Sequence, residues 1–122
     1  MKLARLSAAT AALAAAVVLV ACSSGPTQTR PPGSLYLSAY QTAFVESRVD
    51  ATANTAFQLW FENRDGFPHN VNVADATGAS VARSEVISGP AGVALNVPAL
   101  APGTYKLLCD VHPEMRSELV AN

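Results

Sequence analysis

The most informative part of this 122-residue chain lies near its C-terminus, where residues 103–121 read GTYKLLCDVHPEMRSELVA. Two runs rich in aliphatic residues, Gly103 to Cys109 and Met115 to Ala121, enclose a short polar segment that contains a proline. Runs of this length, bounded in this way, are typical of β-strands joined by a tight connection. The stretch therefore predicts two neighbouring strands and a loop that begins at a cysteine.

The same pattern continues toward the N-terminus as short apolar or alternating runs separated by Gly, Pro, Asn and Asp. Such residues are typical of turns, and from Leu35 onward no run is long enough to favour a helix. The further predicted strands are residues 35–40, 44–49, 56–62, 69–74, 80–83 and 92–97. We therefore predict one all-β domain over residues 35–122, a Greek-key β-sandwich of about seven or eight strands with antiparallel sheets.

The N-terminus carries two positive charges between Met1 and Arg5, followed by a small or aliphatic run from Leu6 to Ala21. This pattern predicts an export signal over residues 1–21. The apolar run is shorter than the roughly 20 residues of a membrane-spanning helix, so a retained transmembrane helix is the less favoured interpretation. The protein is thus expected outside the cytoplasm, in the periplasm or at the cell surface.

The signal ends in Leu-Val-Ala-Cys, which resembles the lipobox of bacterial lipoproteins and predicts lipid attachment at Cys22. Ordinary cleavage beside an incidental cysteine is the alternative. Residues 22–34, rich in Ser, Thr, Pro and Gly, are predicted to be a flexible tether. Cleavage before Cys22 leaves six basic and nine acidic residues, a formal charge of −3, which argues against a nucleic-acid partner.

Only two cysteines occur, so a lipidated Cys22 leaves Cys109 without a disulfide partner. A free thiol in an exported protein calls for an explanation, and metal ligation is one. Cys109, His112 and Met115 recur at every third residue, and Pro113 with the preceding strand favours a tight loop over a helix here. Such a loop can gather the three side chains around one point.

The residue types indicate which metal this point would hold. A thiolate, an imidazole and a thioether together suit copper that alternates between Cu(I) and Cu(II), whereas zinc rarely recruits methionine. A trigonal copper site needs a second imidazole, and His69 is the one other histidine of the chain. Each residue alone has an ordinary interpretation as core or loop; together they predict one site.

The pattern Cys-x-x-His-x-x-Met, with His69-Asn70-Val71 upstream, resembles the copper-binding pattern of the cupredoxins and is closest in loop length to amicyanin. The resemblance implies that His69, Cys109 and His112 are equatorial copper ligands and Met115 the axial one. It also implies that Asn70 ties the two ligand loops together.

Two departures from the family pattern put local turns in doubt. Ser117 stands where many relatives have glycine, and residues 50–55 lack the glycine turn that precedes the central strand in many of them.

By this resemblance the chain is a mononuclear type 1 copper protein that carries one electron, and not an enzyme. Both histidines are committed, which leaves none for a Ser/His/Asp triad. Its expected partners are redox proteins, such as a cytochrome, an oxidase or a reductase. They would dock transiently on a monomer, at an apolar patch that includes Phe67, Pro68 and Pro113.

Two other functions stay open at this point. The same ligands could hold Cu(I) in a lipoprotein that buffers copper or delivers it to an oxidase or another cuproprotein. Extra Met or His residues outside the site would favour delivery, and the chain has none beyond Met1. The third possibility is a structural or adhesive β-sandwich, against which the presence of all four ligand types argues.

Overall fold

The computed structural model describes residues 28–122 and is all-β, as predicted. The predicted signal over residues 1–21, the proposed lipidation site Cys22 and the first part of the tether lie outside the described residues. Residues 28–122 contain no helix, and so none that could span a membrane. Eleven strands follow in chain order: β1 (Leu35–Tyr40), β2 (Ala43–Phe44), β3 (Arg48–Ala51), β4 (Phe57–Asn63), β5 (Pro68–His69), β6 (Asn72–Ala74), β7 (Ser80–Arg83), β8 (Ile87–Ser88), β9 (Ala91–Val97), β10 (Gly103–Leu108) and β11 (Arg116–Ala121).

The strands form two facing sheets and one small pair. One sheet has the order β2-β1-β4-β9 and the other β3-β11-β10-β6-β7, while β5 pairs with β8. Both sheets are mixed, because β1 runs parallel to β4 and β3 runs parallel to β11. The prediction of antiparallel sheets is therefore wrong for these two pairs. Parallel neighbours need a crossover, and here the chain visits the opposite sheet between them.

The core is the apolar layer between the two sheets. Strand β11 alternates exposed and buried residues, as a half-buried strand should. The most deeply buried side chains come from both sheets, and they include Leu37, Leu59, Phe61, Val73, Leu107 and Leu119. Cys109 and Met115 belong to the same apolar cluster. The predicted metal-binding loop is therefore continuous with the core, which restricts its movement.

Two of the predicted strands are each interrupted in the structure. The predicted strand 44–49 is divided between β2 and β3, which belong to different sheets, and the predicted strand 69–74 is divided between β5 and β6. A strand that leaves one sheet for another must bend. In the predicted strand 69–74 the alternation of Val71 and Val73 with polar residues hides the bend. In the predicted strand 44–49 the polar residues 46–48 coincide with the break, and the prediction ran across them.

Ser117, the residue that departs from the family pattern, is buried near the start of β11. Its hydroxyl donates a hydrogen bond of 2.6 Å to the backbone oxygen of Glu46, in the segment that connects β2 with β3. A glycine could not make this bond. The substitution thus adds a link between the strand that follows the cysteine loop and the crossover between the sheets.

Candidate metal centre

The topology brings the predicted ligands to one end of the sandwich. Strand β10 ends at Leu108, which pairs on one side with Asn72, the first residue of β6, and on the other with Arg116, the first residue of β11. Cys109 therefore leaves the sheet where β6 begins. His69 lies at the end of β5, three residues before β6. Residues that are 40 apart in the chain are in this way placed side by side.

The loop that follows Cys109 is closed by its own backbone. The amide of Met115 donates to the carbonyl oxygen of His112 at 3.0 Å, and the amide of Cys109 donates to the carbonyl oxygen of Met115 at 3.4 Å. These bonds fold the seven residues from Cys109 to Met115 into a tight connection rather than a helix, as Pro113 predicted. His112 is thereby turned back toward the cysteine.

His69, Cys109 and His112 form a single cluster. The Cys109 Sγ lies 3.9 Å from the His69 Nδ1 and 4.0 Å from the His112 Nδ1. The donor atoms of all three side chains lie within 4.8 Å of one another. The two imidazole rings are tilted against each other with centroids 4.6 Å apart. Among residues 28–122 this is the one such cluster of histidine, cysteine and acidic side chains.

These separations fit a shared metal ion. A first-row metal ion binds thiolate at about 2.3 Å and imidazole at about 2.0 Å, so two such donors on one ion lie about 3.5–4 Å apart. One sulfur and two imidazole nitrogens are the donor set of a trigonal copper site. The cluster therefore fits a single type 1 copper ion without a rearrangement of the fold.

The three side chains differ in their contact with solvent. His69 is fully buried and Cys109 is 3% exposed, whereas His112 is half-buried. Met115, at the far end of the loop, is 2% exposed and packs in the core. Water is thus excluded from most of the cluster, and His112 is the donor nearest the surface.

Asp65 fixes the orientation of His69. Its Oδ2 lies 3.0 Å from the His69 Nε2. An ionised carboxylate can only accept a hydrogen bond, so the Nε2 carries the proton and the Nδ1 presents its lone pair to the cluster. A hydrogen bond that a ligating histidine donates from its distal nitrogen to a carboxylate orients the ring and raises its basicity.

Asp65 is itself held by the turn between β1 and β2. The amides of Gln41 and Thr42 donate to its two carboxylate oxygens at 2.7 and 2.9 Å. Both turn residues have positive φ angles, 51° and 58°, in the region that favours glycine. These hydrogen bonds, chiefly that from Thr42, lower the pKa of Asp65 below its usual range. The turn thus keeps the carboxylate ionised beside His69.

Replacing Asp65 with asparagine should destabilise the metal-free protein by about 1–3 kcal/mol, because one of the three donors would face an amide NH₂ group. The pKa of Asp65 is lowered on folding, so its contribution is complete above the unfolded pKa of about 4 and is lost as pH falls through the lower folded pKa. Denaturant unfolding at a series of pH values from 7 to 3 measures this.

The difference between wild type and Asp65→Asn should therefore be largest at neutral pH and shrink below pH 4. Asp50→Asn is the matched control, because Asp50 is exposed and its side chain pairs with the exposed Arg48; its effect should stay within about 0.5 kcal/mol. A difference for Asp65→Asn that is the same at pH 7 and pH 3 would contradict the assignment.

Asn70 bridges the two loops of the cluster. Its Oδ1 accepts a hydrogen bond of 2.8 Å from the amide of Asp110, and its Nδ2 donates to the Asp110 carboxylate at 2.7 Å. Because Asn70 follows His69 and Asp110 follows Cys109, the bridge sets the relative position of these two side chains. Asn70 is 1% exposed, so water cannot compete for these bonds.

Sequence reasoning predicted the cluster and the Asn70 bridge, but it missed Asp65 and the turn that holds it. Asp65, Gln41 and Thr42 contact one another across more than 20 residues of chain, and a turn without glycine or asparagine gives no signal. One signal was present: an aspartate four residues before a predicted ligand, beside a glycine, is placed to turn back onto that histidine. Asp110 gave a similar signal, because an acidic residue directly after the predicted ligand Cys109 is placed to interact with the loops of the site.

Both the sequence and the fold of this chain are similar to those of known cupredoxins. A family model described as a cupredoxin-like domain matches residues 11–121. Amicyanin-alpha of Methylorubrum extorquens is 29% identical over 117 residues, which covers 93% of each chain.

Solved structures of similar fold include amicyanin from Paracoccus versutus, with a TM-score of 0.60 and 18% identity over 76% of this chain and 85% of that chain. Auracyanin A, a blue copper protein from Chloroflexus aurantiacus, has a TM-score of 0.64 and 19% identity over 73% of this chain and 98% of its own. At these identities the solved structures bear on the fold alone.

Proposed function

Because the chain belongs to the cupredoxin-like domain family, we propose that it is a mononuclear type 1 copper protein that carries single electrons. The proposed equatorial ligands are His69, Cys109 and His112, and the proposed axial ligand is Met115. The observation that carries the proposal is the buried cluster of one thiol and two imidazole nitrogens within 4.8 Å. The kinship with amicyanin-alpha and the fold shared with auracyanin A support it.

The chain's own residues account for the suitability of this site. Copper supplies a one-electron couple between Cu(I) and Cu(II). Asp65 accepts a hydrogen bond from His69, and the Asn70 bridge holds the loop that begins at Cys109. The positions of His69 and Cys109 therefore do not depend on a bound ion. A donor set that is fixed by the fold changes little between oxidation states, and this keeps the reorganisation energy of electron transfer small. Such a site favours a carrier over an enzyme.

The proposed route to a partner is the exposed edge of His112. The loops that carry the proposed ligands also expose apolar side chains: Phe67 is 65% exposed, Val111 is 40% exposed, and Pro68 and Pro113 are exposed as well. We call Phe67, Pro68, Val111 and Pro113 the apolar rim. A rim of this size suits weak, transient docking of a redox protein such as a cytochrome, an oxidase or a reductase.

Replacing Phe67 with aspartate should slow electron self-exchange between two copies of the copper-loaded protein by roughly tenfold, which corresponds to about 1.4 kcal/mol. The substitution places like charges face to face when two rims meet, and it leaves the donor set untouched. NMR line broadening in mixtures of oxidised and reduced protein measures the rate.

The matched control is Ala99→Asp, because Ala99 is exposed in the connection before β10, at the opposite end of that strand from Cys109. Both variants should keep the visible spectrum of the wild type. If the two variants slow self-exchange equally, net charge alone is responsible and the apolar rim is not the docking surface.

We also propose an extracytoplasmic location with lipid attachment at Cys22. This part rests on the sequence of residues 1–22, in which a charged start and a short apolar run lead to Leu-Val-Ala-Cys. Residues 23–34 would then connect the anchor at Cys22 to β1. Mass spectrometry of the protein from membranes should find the chain beginning at an acylated Cys22.

The experiment that tests the copper function is the addition of Cu(II) to the chain without its predicted signal. An intense thiolate-to-copper absorption band with narrow hyperfine splitting in the electron paramagnetic resonance spectrum, together with reversible one-electron reduction, is expected. A colourless protein that binds Cu(I) and surrenders it to an acceptor would replace electron transfer with copper delivery. Failure to bind copper would overturn both functions.

A further inference from the structure

The carboxylate of Asp110, the residue directly after Cys109, interacts with three side chains. Its Oδ2 accepts a hydrogen bond from the Asn70 Nδ2 at 2.7 Å, and its Oδ1 accepts one from the Asn72 Nδ2 at 3.0 Å. The Arg83 Nε lies 3.1 Å from the Oδ2. The backbone amide of Asp110 donates to Asn70 as well. Both carboxylate oxygens are therefore fixed in position.

The charge of this carboxylate is only partly offset. Asn70 and Asn72 are neutral donors, and Arg83 is the one cation among the groups that hold it. The Arg83 side chain is 55% exposed and that of Asp110 is 36% exposed, so solvent screens the ion pair. Asp110 is also joined by a peptide bond to Cys109, which is 3% exposed. A negative charge is therefore held on the residue that follows the buried Cys109 in the chain.

We propose that Asp110 sets the reduction potential of the centre: its carboxylate lowers the potential, and Arg83 raises it. The inference rests on the proposed copper function. Reduction adds one electron and makes the centre less positive by one unit, so a nearby anion opposes it and a nearby cation favours it. Asp110 is a positioning and tuning residue, since it acts through Cys109 and is not a ligand.

The alternative is that the network only holds the loops together. In that case Asp110→Asn and Arg83→Gln would each loosen the same contact, and their effects on the potential would share one sign or vanish. The electrostatic role requires opposite signs, because the two residues carry opposite charges. Asp110→Asn keeps the size of the side chain and one carbonyl oxygen, which limits its structural effect.

The experiment measures the midpoint potential of the copper-loaded protein at pH 7 and low ionic strength for wild type, Asp110→Asn, Arg83→Gln, the double variant and Glu118→Gln. The potential should rise in Asp110→Asn, fall in Arg83→Gln and return toward the wild-type value in the double variant. Glu118, which is exposed on β11 and whose side chain makes no hydrogen bond with any of residues 28–122, is the charge-matched control and should leave the potential unchanged. Added salt should shrink the shifts.

A second readout is the ratio of Cu(II) affinity to Cu(I) affinity, which should fall by about tenfold in Asp110→Asn. Unfolding of the metal-free variants shows whether the fold is kept. If Asp110→Asn does not fold, Arg83→Gln on the edge strand β7 still tests the sign. A potential that rises or stays unchanged in Arg83→Gln, or a Glu118→Gln shift equal to that of Asp110→Asn, would overturn the inference.

The two proposals fail in different ways. A wild-type protein that binds no copper, or has no reversible couple, contradicts the proposed function. Suppose instead that the wild-type protein has a blue spectrum and a reversible couple, and that Asp110→Asn and Arg83→Gln leave the reduction potential unchanged. That result contradicts the role of Asp110 alone.

Discussion

Cys109→Ser is expected to abolish the intense absorption band that Cu(II) gives with the wild-type protein and to weaken copper binding by at least about a thousandfold, or 4 kcal/mol. The band arises from charge transfer between a thiolate and copper, and a serine hydroxyl is neither soft nor ionised at neutral pH. Serine is close to cysteine in size, so the fold around this 3% exposed position should be kept. Absorption titration with Cu(II) measures both effects.

The chain provides its own control for this substitution. Cys22→Ser removes the other cysteine and should leave the band unchanged, since Cys22 is predicted to carry lipid and not metal. Circular dichroism of metal-free Cys109→Ser establishes that the protein is folded. Persistence of the blue band in Cys109→Ser would remove the basis of the proposed centre.

Gly89→Ala should destabilise the protein by about 3 kcal/mol or more, a large effect for the addition of one methyl group. A Cβ at this position would overlap the backbone oxygens of Asn63 and Asp65, and backbone atoms cannot swing away as a flexible side chain can. The segment from Asn63 to Asp65 must then shift, and Asp65 orients His69. Denaturant unfolding measures the loss, and the copper spectrum should broaden.

Gly66→Ala is the matched control, because Gly66 is the neighbour of Asp65 in the same loop. A Cβ there meets nothing within 4 Å, and no positive φ is recorded for it. Its effect on the free energy of unfolding should stay within about 0.5 kcal/mol. Equal losses for the two variants would mean that the loop tolerates no added side chain anywhere, and that close packing at Gly89 is not the cause.

Sequence reasoning predicted the structure best where the evidence lay in one strand or in one type of residue. Strands β1 and β7 have the predicted bounds, and the cluster contains the predicted cysteine and both histidines. The break between β2 and β3 was missed because one strand was predicted from Phe44 to Val49, across the polar residues 46–48. The parallel partners were missed because pairing depends on which sheet the chain enters next, and local periodicity does not encode that.

Apart from the Asn70 bridge, the supports of the centre were missed for a different physical reason. Asn63 donates from its Nδ2 to the carbonyl oxygens of Phe67 and Ile87, both at 2.8 Å, and thereby joins the loop before β5 to the start of β8. An asparagine at the end of a predicted strand looks like ordinary turn chemistry. Its second partner lies 24 residues away, and only the folded chain brings that carbonyl within reach.

The unequal burial of the two histidines has a consequence for the assembly of the centre. His69 is enclosed on all sides and fastened by Asp65, whereas His112 stands at the surface in a short loop. Of the three proposed donors, His112 is therefore the one whose ring could turn away from a bound ion with the least exposure of the core. We therefore expect copper to enter and leave the proposed site past His112, while His69 and Cys109 keep the positions that the fold gives them.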